Sequence, residues 1–199
     1  MKLNEVLSKE KRLVVVYGGR FQPFHLGHYH VYTWLCKRFG KQNVWIATSD
    51  KTNFDEDSAK VSPFNFREKK EIITSLYDID PRRIVKCKNP AFSPVEIFDQ
   101  YQGHDPIYVA AVGEKDESRY SKFLEVDKSI NKGEFKDLQP RSKASYFVSV
   151  PLDPLEMSGT HIRELLSDSS NHEKIFNRYF GEYNSIIDQL MTSKLKKVR

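Results

Sequence analysis

The chain has 199 residues, of which 39% are hydrophobic and 30% charged, which is typical of one soluble globular domain. The sequence contains no run of ~20 apolar residues, the length that a membrane helix needs. The N-terminal segment lacks the apolar core of a signal peptide, and the two cysteines form no C-x-x-C pair, so we expect a cytoplasmic protein. A net charge of +5 suits nucleic acid and nucleotide phosphates equally well.

Buried apolar runs that end in polar residues predict strands, and longer periodic stretches predict helices. The predicted strands are Arg12–Gly19, Asn43–Ser49, Arg83–Cys87, Pro106–Gly113 and Ser145–Pro151. The predicted helices between them are His25–Gly40, Pro63–Tyr77 with Pro63 near its first turn, and Ser93–Gly103. Because strands and helices alternate, we expect a parallel sheet that is covered by helices on both faces.

The rest of the chain divides into a polar insertion and a helical end. Residues 117–145 are lysine-rich and weakly periodic, so we expect a long insertion or a partly ordered loop. From Ser158 onward the pattern predicts three helices. No linker or repeat divides the chain, so we expect a single domain over residues 1–199, with an α/β core at 12–167 and a helical segment at 168–199.

The stretch GGRFQPFHLGH begins with the two glycines that end the first predicted strand. In an open parallel sheet, ligands bind beyond the carboxyl ends of the strands, where helix N-termini present free N–H groups. Gly18 and Gly19 permit close backbone approach, and Arg20 supplies fixed charge. His25 and His28 lie about one helical turn apart and can donate to phosphate oxygens. The pattern predicts a polyphosphate site. The alternative is a simple turn whose histidines cap the helix or bind a metal. We expect no metal bound by the protein, because further metal ligands are missing at suitable spacing.

These residues closely resemble the first signature of the nucleotidylyltransferase superfamily, which carries H-x-G-H after its first strand. The flanking residues RFQPFH are most similar to nicotinamide mononucleotide adenylyltransferases of the archaeal type. A second signature of the superfamily, S/T-G-T-x-I-R at a helix start, is matched by SGTHIR at residues 158–163. The resemblance covers about residues 12–167. It implies a Rossmann-like doubly wound parallel sheet, the H-x-G-H nucleotidylyltransferase fold, with C-terminal helices.

The resemblance also implies roles for individual residues. The implied catalytic residues are Arg20, His25, His28 and Arg163, and the implied nucleotide-binding residues are Gly18, Gly19, Phe21, Lys115, Asp116, Ser158, Gly159 and Thr160. Lys115 and Asp116 follow the predicted strand that ends at Gly113, at the same sheet edge, where they can meet the nucleotide or form only a solvated turn. The segment VSPFNFREKKEII is similar to the family's asparagine-proline-phenylalanine-threonine segment, with Ser62 in place of the asparagine and Asn65 in place of the threonine.

The activity that the resemblance implies is transfer of an adenylyl group from ATP to a phosphate-bearing acceptor. Nicotinamide mononucleotide is the leading acceptor, with NAD and pyrophosphate as products, and Mg²⁺ is expected to be carried mainly by the triphosphate and water. The nearest rival is a cytidylyltransferase that uses CTP and a sugar- or alcohol-phosphate. A nucleic-acid-binding protein and a non-catalytic nucleotide sensor are further alternatives. We expect small-molecule partners and no nucleic-acid or membrane partner, and a homo-oligomer stays open.

Overall fold

The computed structural model describes residues 12–54, 61–101, 103–130, 135–151, 157–168 and 170–196. Its strands are β1 (Leu13–Gly18), β2 (Val44–Thr48), β3 (Ile84–Lys86), β4 (Ile107–Gly113), β5 (Leu124–Glu125) and β6 (Ser145–Val150). They form one sheet in the order β3-β2-β1-β4-β6-β5, and each neighbouring pair is parallel. The predicted Rossmann-like doubly wound sheet is therefore confirmed.

The helices are α1 (Leu26–Phe39), α2 (Phe66–Leu76), α3 (Val95–Phe98), α4 (Val126–Ser129), α5 (Gly159–Asp168), α6 (His172–Tyr179) and α7 (Ser185–Leu195). α2 begins at Phe66, three residues after Pro63, rather than at Pro63 itself, because Asn65 caps this helix. The Asn65 side chain accepts the Glu68 backbone N–H at 3.0 Å, and the Glu68 carboxylate accepts the Asn65 N–H at 3.0 Å. Within the described ranges, no helix combines the length and apolar character needed to cross a membrane.

Residues 117–145, expected as an insertion or loop, contain ordered elements at the edge of the sheet. β5 and α4 lie here, and β5 pairs with β6. Val126 and Leu138 are fully buried in the core on one face of the sheet. The segment was hard to assign from sequence because each element is only a few residues long and most of its side chains are polar. Residues 131–134 lie outside the described ranges.

Helices and loops cover both faces of the sheet, and α5 to α7 form a third packed layer. Val15 points into the cluster that contains Leu35 of α1, whereas its neighbour Val14 points into the opposite cluster with Ile97 of α3. This alternation is the ordinary two-residue period of a strand. In the third cluster, α5, α6 and α7 pack against Ile72 of α2. This packing places the first turn of α5 beside the carboxyl edge of the sheet.

Two glycines allow separate segments to touch at this edge. A Cβ built at Gly18, the last residue of β1, would lie 2.2 Å from the Pro90 carbonyl oxygen. A Cβ at Gly159, the first residue of α5, would lie 2.9 Å from the Gln22 carbonyl oxygen. Both neighbours are backbone atoms, which cannot move aside as the end of a side chain can. By contrast, a Cβ at Gly113 would have nothing within 4 Å.

We expect Gly18→Ala to lower the free energy of unfolding by about 1–3 kcal/mol, the typical cost of overpacking a close-packed site. Gly113→Ala is the matched control, since Gly113 has φ −71° and open space around it. Denaturant unfolding of the parent and both variants measures the difference. Equal stability of Gly18→Ala and the parent would contradict the close contact with Pro90.

Candidate active site

A cavity of about 800 Å³ opens at the carboxyl edge of the sheet, next to β1 and β4, where the strand order reverses. Open α/β sheets bind ligands at this kind of position, and the volume suits a nucleotide-sized ligand. All but one of the predicted site residues line the cavity: Gly18, Gly19, Arg20, Phe21, His25, His28, Asp116, Ser158, Gly159, Thr160 and Arg163. The exception is Lys115, which is exposed and does not line it.

The loop after β1 has an unusual backbone conformation at Phe21. This residue has φ +48°, a region that non-glycine residues rarely adopt, and its side chain is only 4% exposed. The ring lies over Gly19 and packs edge-on against His28, with 5.0 Å between ring centroids. Burial of the Phe21 ring therefore accompanies the sharp turn that brings the loop across the end of the strand.

His25 and His28 stack on each other with 3.7 Å between ring centroids. The backbone N–H of His25 donates to Nδ1 of His28 at 3.3 Å, so Nδ1 is the acceptor nitrogen and Nε2 carries the hydrogen. Burial, and then the charge of His25, hold the pKa of His28 well below its ordinary value. At neutral pH, His28 is therefore an uncharged ring with one N–H donor at Nε2.

Two helix N-termini meet at the cavity. His25 is the N-cap of α1, and Ser158 directly precedes α5. Neither helix has an acidic residue in its first turn. The free N–H groups and the positive ends of both helix dipoles are therefore not neutralised by a neighbouring carboxylate of the same turn. Such an arrangement favours an anion with several oxygens.

Two arginines add fixed positive charge. Arg163 is 7% exposed, and its guanidinium donates to the Gln22 carbonyl and to Thr160 Oγ1, the latter at 3.2 Å. Burial, and then the charge of Arg20, lower the pKa of Arg163, although an arginine stays protonated in proteins. Arg20 is exposed at the cavity. Sequence reasoning predicted that Arg163 acts on a ligand; the structure shows in addition that it fastens α5 to the loop after β1.

Gln22 was not predicted as a site residue, yet it connects the loop to a distant segment. Its side chain is buried, donates to the Phe64 carbonyl at 2.8 Å and accepts the Phe64 N–H at 3.0 Å. A carboxamide has one donor group and one acceptor, and here both pair with the backbone of one residue. In the sequence, the only local feature that marks Gln22 is its position as a polar amide between Phe21 and Pro23 in RFQPF.

Arg119 and Tyr120, which the sequence did not single out, line the cavity together with Asp116. Tyr120 donates its hydroxyl to the Ala91 carbonyl at 2.8 Å, and its ring stacks on Phe92 with 4.7 Å between centroids. Arg119 pairs with Asp116 at 2.9 Å, and its guanidinium lies 5.2 Å from the centre of the Phe92 ring. The usable signal was the D-x-x-R spacing in a predicted turn after β4. The cavity is therefore lined here by the Tyr120 ring, which stacks on Phe92, and by the Asp116 carboxylate and the Arg119 guanidinium.

Comparison with known proteins gives one family match and several similar proteins. The family described as cytidylyltransferase-like matches residues 16–165. A stretch of 65 residues, 32% of the chain, is 37% identical to the nicotinamide-nucleotide adenylyltransferase of Saccharolobus solfataricus. That stretch spans 35% of the length of this relative, so it covers about a third of each protein.

The solved structures are similar over nearly the whole chain. The nicotinic acid mononucleotide adenylyltransferase of Plasmodium falciparum complexed with NaAD has a TM-score of 0.55 at 13% identity, covering 94% of this chain and 95% of that one. The same enzyme complexed with APC has a TM-score of 0.54 at 12% identity, with the same coverage of both chains. At these identities the likeness concerns the fold.

Proposed function

Because the chain belongs to the cytidylyltransferase-like family, we propose that it transfers the adenylyl group of ATP to the phosphate of nicotinamide mononucleotide, forming NAD and releasing pyrophosphate. The observation that carries the proposal is the meeting of two separate motifs at one cavity. The H-x-G-H motif lies at the start of α1 and the S-G-T-x-I-R motif at the start of α5. The 37% identity to a nicotinamide-nucleotide adenylyltransferase supports the choice of ATP and of this acceptor.

The chemistry asks little of the protein beyond binding and orientation. A phosphate oxygen of the acceptor attacks the α-phosphorus of ATP in line and forms the new P–O bond. The bond from the α-phosphorus to the bridging oxygen breaks, and pyrophosphate leaves with the electron pair. A phosphate monoester is already ionised at neutral pH, with a second pKa of about 6, so no general base is required. Rate enhancement then comes from positioning and from charge stabilisation.

The residues around the cavity supply both effects. The Nε2–H of His28 donates to a phosphate oxygen, and His25 holds the ring of His28 in place through the backbone N–H bond and the ring stacking. Arg20 and Arg163 neutralise charge on the β- and γ-phosphates as pyrophosphate departs. The backbone N–H groups at the start of α5 bind the same oxygens.

We propose that Mg²⁺ enters as a component of the ATP substrate. This ion prefers oxygen ligands, keeps several waters and is bound by substrate phosphates together with one or two carboxylates. Among the described residues that line the cavity, the one carboxylate is Asp116, which is paired with Arg119, so Mg²⁺ would be held mainly by phosphate oxygens and water. The described part of the chain contains no group of three or more histidine, cysteine or acidic side chains arranged to hold a metal. Bound to the triphosphate, the ion would neutralise part of the negative charge of the phosphates.

The Asp116–Arg119 pair supports nicotinamide rather than nicotinate as the acceptor base. Beside the Phe92 and Tyr120 rings, this pair presents carboxylate oxygens and guanidinium N–H groups together. A carboxamide has both a donor and an acceptor, so it can bind both side chains at once. A carboxylate can accept from Arg119 but would face the like charge of Asp116.

The test of the proposal is a pyrophosphate-release assay that crosses ATP and CTP with a panel of phosphorylated acceptors in the presence of Mg²⁺. The panel contains nicotinamide mononucleotide, nicotinic acid mononucleotide, and sugar- and alcohol-phosphates. The expected result is release with ATP and nicotinamide mononucleotide. Release with CTP and a sugar- or alcohol-phosphate would instead establish the rival activity. Absence of release, together with RNA binding that weakens steeply with salt, would favour a nucleic-acid-binding protein.

We expect His28→Ala to lower kcat by about 10²-fold or more while changing the KM for ATP much less, because the Nε2–H meets charge that develops in the transition state. His30→Ala is the control, since His30 is an exposed histidine of the same helix. Steady-state kinetics on the parent and both variants give the comparison. A higher KM with unchanged kcat would mean that His28 only binds ground-state ATP.

We expect Asp116→Asn to lower the preference for nicotinamide mononucleotide over nicotinic acid mononucleotide by about tenfold in kcat/KM, because the nicotinate carboxylate no longer faces a negative charge. Asp80→Asn is the control, because Asp80 forms an exposed ion pair with Arg82, and neither residue lines the cavity. The two acceptors are compared at saturating ATP. An unchanged ratio in Asp116→Asn would show that this pair does not contact the acceptor base.

A further inference from the structure

Lys69 of α2 is a buried cation directly beneath the candidate site. Its side chain is 1% exposed, and its ammonium donates to three oxygens: the Arg20 carbonyl at 3.3 Å, Thr48 Oγ1 at 3.0 Å and the Ser49 carbonyl at 2.5 Å. Arg20 belongs to the loop after β1, whereas Thr48 and Ser49 lie at the carboxyl end of β2. One ammonium group therefore joins α2 to the ends of two neighbouring strands.

Burying a lysine ammonium is costly unless its donors are satisfied, and Lys69 has three donors and three oxygen partners. Burial lowers the pKa of Lys69 to about 8, against the opposing effect of the Asp50 charge. Asp50 is exposed; it accepts the Phe66 N–H at 2.8 Å and pairs with Lys86 at 3.4 Å. At neutral pH, Lys69 is therefore mostly cationic, and its contacts are neutral oxygens.

The Arg20 carbonyl receives two donors from this cluster. Besides Lys69, the Thr48 hydroxyl donates to it at 3.3 Å. Arg20 and Ser49 line the cavity, but Lys69 does not. Lys69 can therefore affect a ligand through the backbone of the loop, but it does not reach the cavity to contact the ligand itself. A cation held below the loop also adds to the positive potential of the cavity.

We propose that Lys69 is a positioning residue that draws the Arg20 carbonyl toward the end of β2 and so holds the Arg20 guanidinium against the triphosphate. The part of this proposal that concerns ATP rests on the proposed function. The part that concerns the position of the loop does not, because it depends only on the contacts of Lys69. A lysine that served only to stabilise the packing of α2 would change the unfolding transition and leave the loop and the ATP kinetics of the folded protein as they are.

The experiment compares Lys69→Met and Lys69→Arg with the parent and with Lys70→Met. Lys70 is the neighbouring lysine of α2, whose ammonium lies 6.0 Å from the Phe66 ring centre, so its variant is the matched control. Two measurements are made on folded protein: hydrogen exchange of the backbone amides of residues 18–22, and steady-state kinetics with ATP as the varied substrate.

In Lys69→Met we expect faster exchange in residues 18–22, and a loss of kcat/KM for ATP of about tenfold or more with the acceptor KM unchanged. Lys69→Arg, which keeps a cation and several donors, restores part of both. Lys70→Met behaves as the parent does. Thr48→Val removes the hydroxyl between Lys69 and the Arg20 carbonyl and is expected to show a smaller change in the same direction; it replaces Lys69→Met if that variant does not fold.

The proposal would be overturned if residues 18–22 of folded Lys69→Met or Thr48→Val exchanged hydrogen at the same rate as in the parent. It would also be overturned if a variant with faster exchange in this loop had the same kcat/KM for ATP as the parent. If the parent itself releases no pyrophosphate with any donor and acceptor, the proposed function fails. The exchange measurement still decides in that case whether Lys69 holds the loop, so the two failures are distinguishable.

Discussion

Gln22 joins three segments of the chain at the cavity. Its carboxamide pairs with both backbone groups of Phe64, 42 residues away, and its own carbonyl accepts from Arg163, 141 residues away. An unpaired buried donor or acceptor costs about 1–3 kcal/mol, so each of these partners is held in place by the others. Gly159 lets the first turn of α5 approach the same carbonyl. Gln22 therefore connects the loop that carries the H-x-G-H histidines to the helix that carries the second motif.

More positively charged than acidic side chains lie in and directly below the cavity, and this excess of positive charge suits a polyphosphate ligand. The buried cations Arg163 and Lys69 are bonded to carbonyl and hydroxyl oxygens. Burying charge in this way costs stability, because these oxygens replace water only in part. A triphosphate would supply the missing negative charge. We therefore regard the arrangement as a site whose electrostatics favour the bound state over the free one.

Most of the fold could be predicted from sequence, because buried strands and periodic helices leave local patterns, and the match to residues 16–165 confirms the resemblance that the motifs indicated. That His25 and His28 lie together at the cavity could be predicted because their spacing along the chain is local too. Gln22 and Lys69 were missed because their roles depend on partners that only the tertiary structure brings near. Lys115 was included by its place in the sequence, but in the 3₁₀ turn after β4 it is Asp116 that lines the cavity.

The most direct test of this account is a crystal structure of the chain with a non-hydrolysable ATP analogue, because the central claim is that both motifs bind one triphosphate. The account predicts phosphate oxygens within hydrogen-bond distance of His28 Nε2 and of the backbone N–H groups at the start of α5, with Arg163 beside them. Phosphate density away from either motif would contradict it, since the two would then serve different purposes.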